Sequence, residues 1–112
     1  MSFIFVRVQN RYHRIDLNDV VYIESARNYC KIVCRAGGTT MALTTMTRLV
    51  ELLPGGQFLR IQRSYIVALD KIVSFDKRTV AVGDKQLPIG ESYLHTLMQH
   101  LLIVDISQPK AR

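Results

Sequence analysis

The chain has 112 residues, the length of one ordinary domain that can bury a core without disulfide or metal staples. Its composition is 48% hydrophobic and 21% charged with only three prolines, which excludes disordered, collagenous and low-complexity classes. Fifteen Lys and Arg against nine Asp and Glu leave a net charge of +6, which favours phosphate-rich partners without naming one.

The chain begins with two β-rich runs, 3–9 and 12–17, separated by a turn at Asn10-Arg11, which predicts a hairpin. Two further strands, 20–25 and 29–35, flank a polar break at Ala26-Arg27-Asn28. Gly37-Gly38 supplies the positive φ for a turn into a strand over 39–43. Thr44 or Thr45 is then the expected N-cap of a short helix, with Met46, Leu49, Val50 and Leu53 on one face, stopped by Pro54-Gly55-Gly56. Extended runs follow at 58–62 and 65–69 around Arg63-Ser64, then at 71–75, 79–82 and 86–89, the last kept short or at an edge by Pro88. A second helix is predicted after Gly90-Glu91-Ser92, with Ser92 as N-cap and Leu94, Leu97, Met98 and Leu101 on its apolar face. The expected fold is mainly β, with about ten short, mostly antiparallel strands in stacked sheets, one short central helix and one C-terminal helix. The domain is expected over 1–104, followed by a polar tail over 105–112.

Leu101-Leu102-Ile103-Val104, the longest apolar run near the C-terminus, is far short of the roughly 20 residues of a membrane span. The N-terminus has no basic stretch followed by a small-residue cleavage site, so a cytoplasmic location is expected. Cys30 and Cys34 share a face of one strand about 13 Å apart, too far for a disulfide. His13, His95 and His100 complete no zinc set with them. No glycine-rich phosphate loop and no nucleophile with a base emerges, so the chain is expected to be no enzyme and to need no cofactor. The five tyrosines are scattered one per element and are expected in the core with hydroxyl partners, not on an open RNA-stacking face.

What stands out is that basic and amide residues gather where strands break. Arg27-Asn28 with Lys31 marks one elbow, Arg60-Gln62-Arg63-Ser64 a second, and Lys77-Arg78 a hairpin tip that reads as an ordinary solvated turn. Arg, Asn and Gln can make bidentate contacts with base edges, and a rigid sheet could hold such loops in a groove.

Several strings then carry a resemblance. Val20-Val21-Tyr22-Ile23-Glu24-Ser25, Asn28-Tyr29-Cys30-Lys31-Ile32, Met46-Thr47-Arg48-Leu49, Phe58-Leu59-Arg60-Ile61-Gln62-Arg63-Ser64-Tyr65-Ile66-Val67 and Leu87-Pro88-Ile89-Gly90-Glu91-Ser92-Tyr93 resemble, in order and spacing, the successive motifs of the LytTR family of DNA-binding domains. The likeness covers about Phe3 to Leu102. It implies stacked antiparallel sheets and an output module of bacterial two-component response regulators. Such a module binds promoter DNA, often at paired direct repeats, through loops instead of a recognition helix. It also implies an N-terminal receiver domain, absent from this chain, and a possible dimer on DNA.

Carried over residue by residue, the resemblance places Asn28, Cys30 and Lys31 at a first base-reading elbow, Gln62 and Arg63 at a second, and Gly90-Glu91-Ser92 at a third. Asn28, Lys31, Gln62 and Arg63 are the expected base readers. Arg27, Arg60, Ser64 and Ser92 fall to phosphate, and Cys30 and Glu91 have no fixed role. Gln62 stands where family members usually carry His, which keeps donor and acceptor but removes titration. Gly90-Glu91 stands where many members carry Ser-Arg. The expected function is sequence-specific duplex binding in transcription regulation, and the alternative is a basic protein-interaction module with only non-specific nucleic-acid affinity.

Overall fold

The computed structural model describes residues 2–105. Ten strands form three antiparallel sheets, and two helices complete the order: β1 (Phe3–Val8), β2 (Arg11–Asp16), β3 (Val20–Ala26), β4 (Tyr29–Cys34), β5 (Thr39–Ala42), α1 (Met46–Leu52), β6 (Phe58–Gln62), β7 (Tyr65–Ala68), β8 (Ile72–Phe75), β9 (Thr79–Val82), β10 (Lys85–Pro88) and α2 (Glu91–Gln99). A five-stranded sheet of order β5-β4-β3-β7-β6 lies at the centre. The β1-β2 hairpin and the three-stranded β10-β9-β8 sheet stand apart from it in hydrogen bonding.

Strand alternation sends the side chains of the central sheet into two separate cores. Ile23, Cys30, Ile32, Phe58, Ile66 and Ala68 face Met46, Leu49 and Leu53 around α1 and Val6 and Ile15 of the hairpin. Tyr22, Ile61 and Val67 face Val80, Val82 and Leu87 of the three-stranded sheet and Leu97 of α2. Each fully buried Ile, Leu or Phe here contributes about 1.5–3 kcal/mol of transfer free energy. The five-stranded sheet is therefore packed on both faces.

The short helix starts as expected. Thr45 is its N-cap, and its Oγ1 accepts the Arg48 N–H at 3.1 Å. The C-terminal helix starts differently. Gly90 is the N-cap and no side chain caps the helix, so Ser92 lies exposed in the first turn. The reason is crowding: a Cβ at position 90 would meet the Tyr93 ring at 2.9 Å, and the Gly90 N–H is already committed to the Ile61 carbonyl at 2.8 Å. Leu97 is buried while Met98 is 45% exposed, so the apolar face of α2 is narrower than its spacing suggests.

Other expectations need adjustment. The first turn is Gln9-Asn10, one residue earlier than read, because Val8 pairs with Arg11. Between β4 and β5 the positive φ falls on Ala36 and Gly37 and not on Gly38. Of the tyrosines, Tyr22 is buried and Tyr65 donates to Glu24 at 3.4 Å, but Tyr12 and Tyr29 are exposed and pack no core. The expected polar tail lies, from residue 106 onward, outside the described residues. No helix among the described residues is long and apolar enough to cross a membrane.

Candidate nucleic-acid interface

The antiparallel order of the central sheet brings its polar elbows to one end. Ala26 pairs with Tyr29, leaving Arg27-Asn28 as a two-residue turn, and Gln62 pairs with Tyr65, leaving Arg63-Ser64 as another. Because β3 and β7 are neighbours, the turns lie side by side, joined by the Ser25 N–H donating to the Ser64 carbonyl at 2.9 Å. The Gly90 N–H to Ile61 carbonyl bond fastens the third elbow to the second. Three segments far apart in sequence thus form one rim.

Each elbow is fixed in its own way. At the first, Arg27 has φ 58°, the left-handed region that costs a residue with a Cβ about 1–2 kcal/mol. At the second, Gln62 Oε1 accepts the Ser64 N–H at 2.8 Å, and Arg60 Nη2 donates to the Arg63 carbonyl at 2.6 Å while its Nη1 donates to Thr47 Oγ1 at 3.3 Å. Arg60 Nε is buried with no hydrogen-bond partner. Arg60 thus ties the second elbow to the start of α1.

Between these elements lies a cleft of about 450 Å3, lined by Arg27, Arg60 and Arg63 and by the hydroxyl residues Ser25, Thr44, Thr45, Thr47 and Ser64, with Tyr29 and Met46. No carboxylate lines it. The ion pairs found among the described residues, Arg14–Asp16, Arg35–Asp19 and Lys71–Asp70, lie elsewhere and involve none of its arginines. A larger concavity of about 1050 Å3 runs past β1, the segment 41–44 and α1. It is lined mainly by apolar side chains such as Phe5, Leu43 and Leu52, and its arginine, Arg7, donates to the Gln9 carbonyl. That groove offers no convergent charge.

The residues expected at the site are distributed as follows. Arg27, Asn28 and Arg63 are exposed on the rim, and Gln62 and Ser64 are half-buried with one hydrogen bond between them. Glu91 and Ser92 are exposed in the first turn of α2, beside the second elbow. Lys31 is half-buried on the face of the sheet opposite the cleft, paired with Glu24 of the neighbouring β3. Cys30 is excluded from contact: it is 0% exposed, its thiol directed to the Thr44 carbonyl at 3.4 Å and to Met46 Sδ at 3.5 Å. Burial pushes that thiol up in pKa, and the Arg60 charge only partly opposes it, so a neutral core sulfhydryl results. On the opposite face, burial and then Glu24 push the Tyr65 hydroxyl up as well.

Sequence reasoning missed the threonines. Thr44 and Thr45 read only as N-cap candidates and Thr47 only as part of a motif string, yet all three line the cleft. The Lys77-Arg78 tip also lies nearer the rim than a solvated turn suggests, since the Arg78 carbonyl accepts the Ile89 N–H at 2.9 Å next to the third elbow. No signal in the sequence reports either juxtaposition. Among the described residues no group of His, Cys, Asp or Glu could hold a metal ion.

The family model described as the LytTr DNA-binding domain matches residues 10–102. Among solved structures, the chain is similar to the LytTr DNA-binding domain of a Bacillus cereus protein described as a methyl-accepting/DNA response regulator. Identity is 17%, with 89% of this chain and 96% of that chain covered at a TM-score of 0.75. At that identity the likeness concerns the fold. No curated protein sequence matches.

Proposed function

The chain belongs to the LytTR family of DNA-binding domains, and from that premise we propose that it binds duplex DNA sequence-specifically in transcription regulation, as the output domain of a two-component response regulator. The observation that carries this reading is the single rim on which two elbows present arginine, asparagine and glutamine groups and a third presents Glu91 and Ser92, from a sheet packed on both faces. Arg63, Asn28 and Gln62 read base edges, and Lys31 reaches them from the other face of the sheet. Arg27, Arg60, Ser64 and Ser92 hold the backbone, which fixes register without reading sequence. Glu91, free at the third elbow, accepts from a cytosine amino group, the acceptor role a carboxylate can play in the major groove.

The partner is promoter DNA carrying paired direct repeats, and an N-terminal receiver domain or partner sensor system supplies the signal. Two copies occupy adjacent repeats. The rim also fits an acidic protein through charge alone, and that rival separates cleanly by experiment. Selection of bound duplexes from a random library is expected to enrich a short motif. Recovery of unbiased sequence, with affinity depending only on salt, would reject base reading.

A further inference from the structure

The rim explains how side chains could reach bases, but not why three arginines line one cleft with no carboxylate among its walls. Like charges gathered this way repel one another, and a fold tolerates them when a counter-charge occupies the space between. Thr47 Oγ1 already accepts from Arg60, so its own hydroxyl proton remains to be donated. Arg60 is fixed at both Nη atoms, which leaves its fork oriented before any ligand arrives. The neighbouring apolar groove, by contrast, is lined by a single arginine, Arg7, whose Nε is already committed to the Gln9 carbonyl.

We infer that the cleft between the first two elbows and the start of α1 is a seat for a single phosphate group, gripped by Arg27 and Arg63 from the rim, with Arg60 as its fixed wall and Thr47 and Ser64 as hydroxyl donors. A tetrahedral phosphate offers acceptors on every side, which suits a site whose donors converge from three elements. The seat gives each domain one anchoring point that sets how far the elbows enter a groove, distinct from contacts spread along the strand. The chemistry of the seat stands on the cleft itself. Its assignment to a phosphodiester of the duplex rests on the DNA-binding reading, while a free phosphorylated small molecule would use the same donors.

The test replaces each backbone phosphate of a bound duplex, one at a time, by uncharged methylphosphonate. One position per domain is expected to lose about tenfold or more in affinity, as a charge-assisted contact does. At that position Thr47→Val, exposed on α1 and checked for unchanged thermal unfolding, adds no further loss, whereas it weakens the unmodified duplex. Even small losses at every phosphate, or equal Thr47→Val losses on both duplexes, overturn the seat. In parallel, inorganic phosphate is titrated onto the chain alone at constant ionic strength, following the Thr47 and Ser64 amides by NMR. Saturable shifts abolished by Thr47→Val support the seat even if no duplex is selected, and then point to a small phosphate ester as its occupant. Absence of saturable shifts together with a featureless methylphosphonate scan rejects the seat while leaving an enriched duplex motif intact as evidence for base reading.

Discussion

The two neighbouring elbows of the central sheet are both two-residue turns, yet they are held by opposite means. The first forces Arg27 to φ 58° with no side-chain bond described for it, so the backbone itself bears the cost. The second has no positive φ, and Arg60 and Gln62 hold it instead. A third turn makes the contrast sharper: Gly83-Asp84 between β9 and β10 is also two residues long and its first residue is at φ 62°, but there the sequence uses glycine. Positive φ at a residue with a Cβ is not confined to the rim, since Gln9 in the β1–β2 turn and Ala36 before β5 also adopt it. What sets Arg27 apart is that its strained backbone carries a side chain that lines the cleft, whereas Gly83 adopts the same region without cost.

This contrast can be broken experimentally, and the largest effect is expected at the second elbow. Arg63→Ala should cost about 1–3 kcal/mol more on the selected duplex than on random duplex, where only its share of the phosphate grip is lost, measured by fluorescence anisotropy. Equal losses on both would show that Arg63 holds only phosphate. A smaller, two-way effect is expected at the turns with positive φ. Arg27→Gly should raise stability by up to about 1 kcal/mol in urea unfolding while weakening all duplexes alike and lowering the salt slope by about one. Gly83→Ala should cost about 1 kcal/mol of stability and leave DNA affinity unchanged. Stabilisation by Arg27→Gly without any loss of binding would sever strain from function.

The smallest effect concerns pH. The Asp76 carboxylate accepts the Arg78 N–H at 2.8 Å and the Thr79 N–H at 2.9 Å, which holds its pKa below the ordinary carboxylate value. A depressed folded pKa adds stability that is fully present above the unfolded value and is lost as pH falls through the folded one. Asp76→Asn keeps the acceptor oxygen but does not titrate. The slight drop of the unfolding midpoint in acid should therefore flatten in this variant, as read by circular dichroism across an acid series.

Much of the fold was legible because its signals are local. Alternating β-branched runs, the Thr45 cap and the Pro54-Gly55-Gly56 stop each act within a few residues. The start of α2 was misread for the opposite reason: Ser92 has the right chemistry for a cap, but the Tyr93 ring and the Ile61 carbonyl leave room only for Gly90 as the residue before the helix. Cys30 followed the same logic. A motif position placed it among the contacts, while alternation along β4 turned it into the core with Ile32. Lys31, its neighbour, was sent by that alternation to the opposite face of the sheet, beside Glu24 of β3.

The sequence alone determined the strand-rich architecture, the positions of the polar turns and their excess of arginine and amide groups, because period, turn chemistry and charge are written in consecutive residues. Only the tertiary structure decided which turns meet. The Ser25–Ser64 and Gly90–Ile61 backbone bonds assemble three elbows, and the packing of α1 beneath the sheet brings the threonines against Arg60. Such contacts join residues up to tens of positions apart and depend on sheet order and register, which no local pattern encodes.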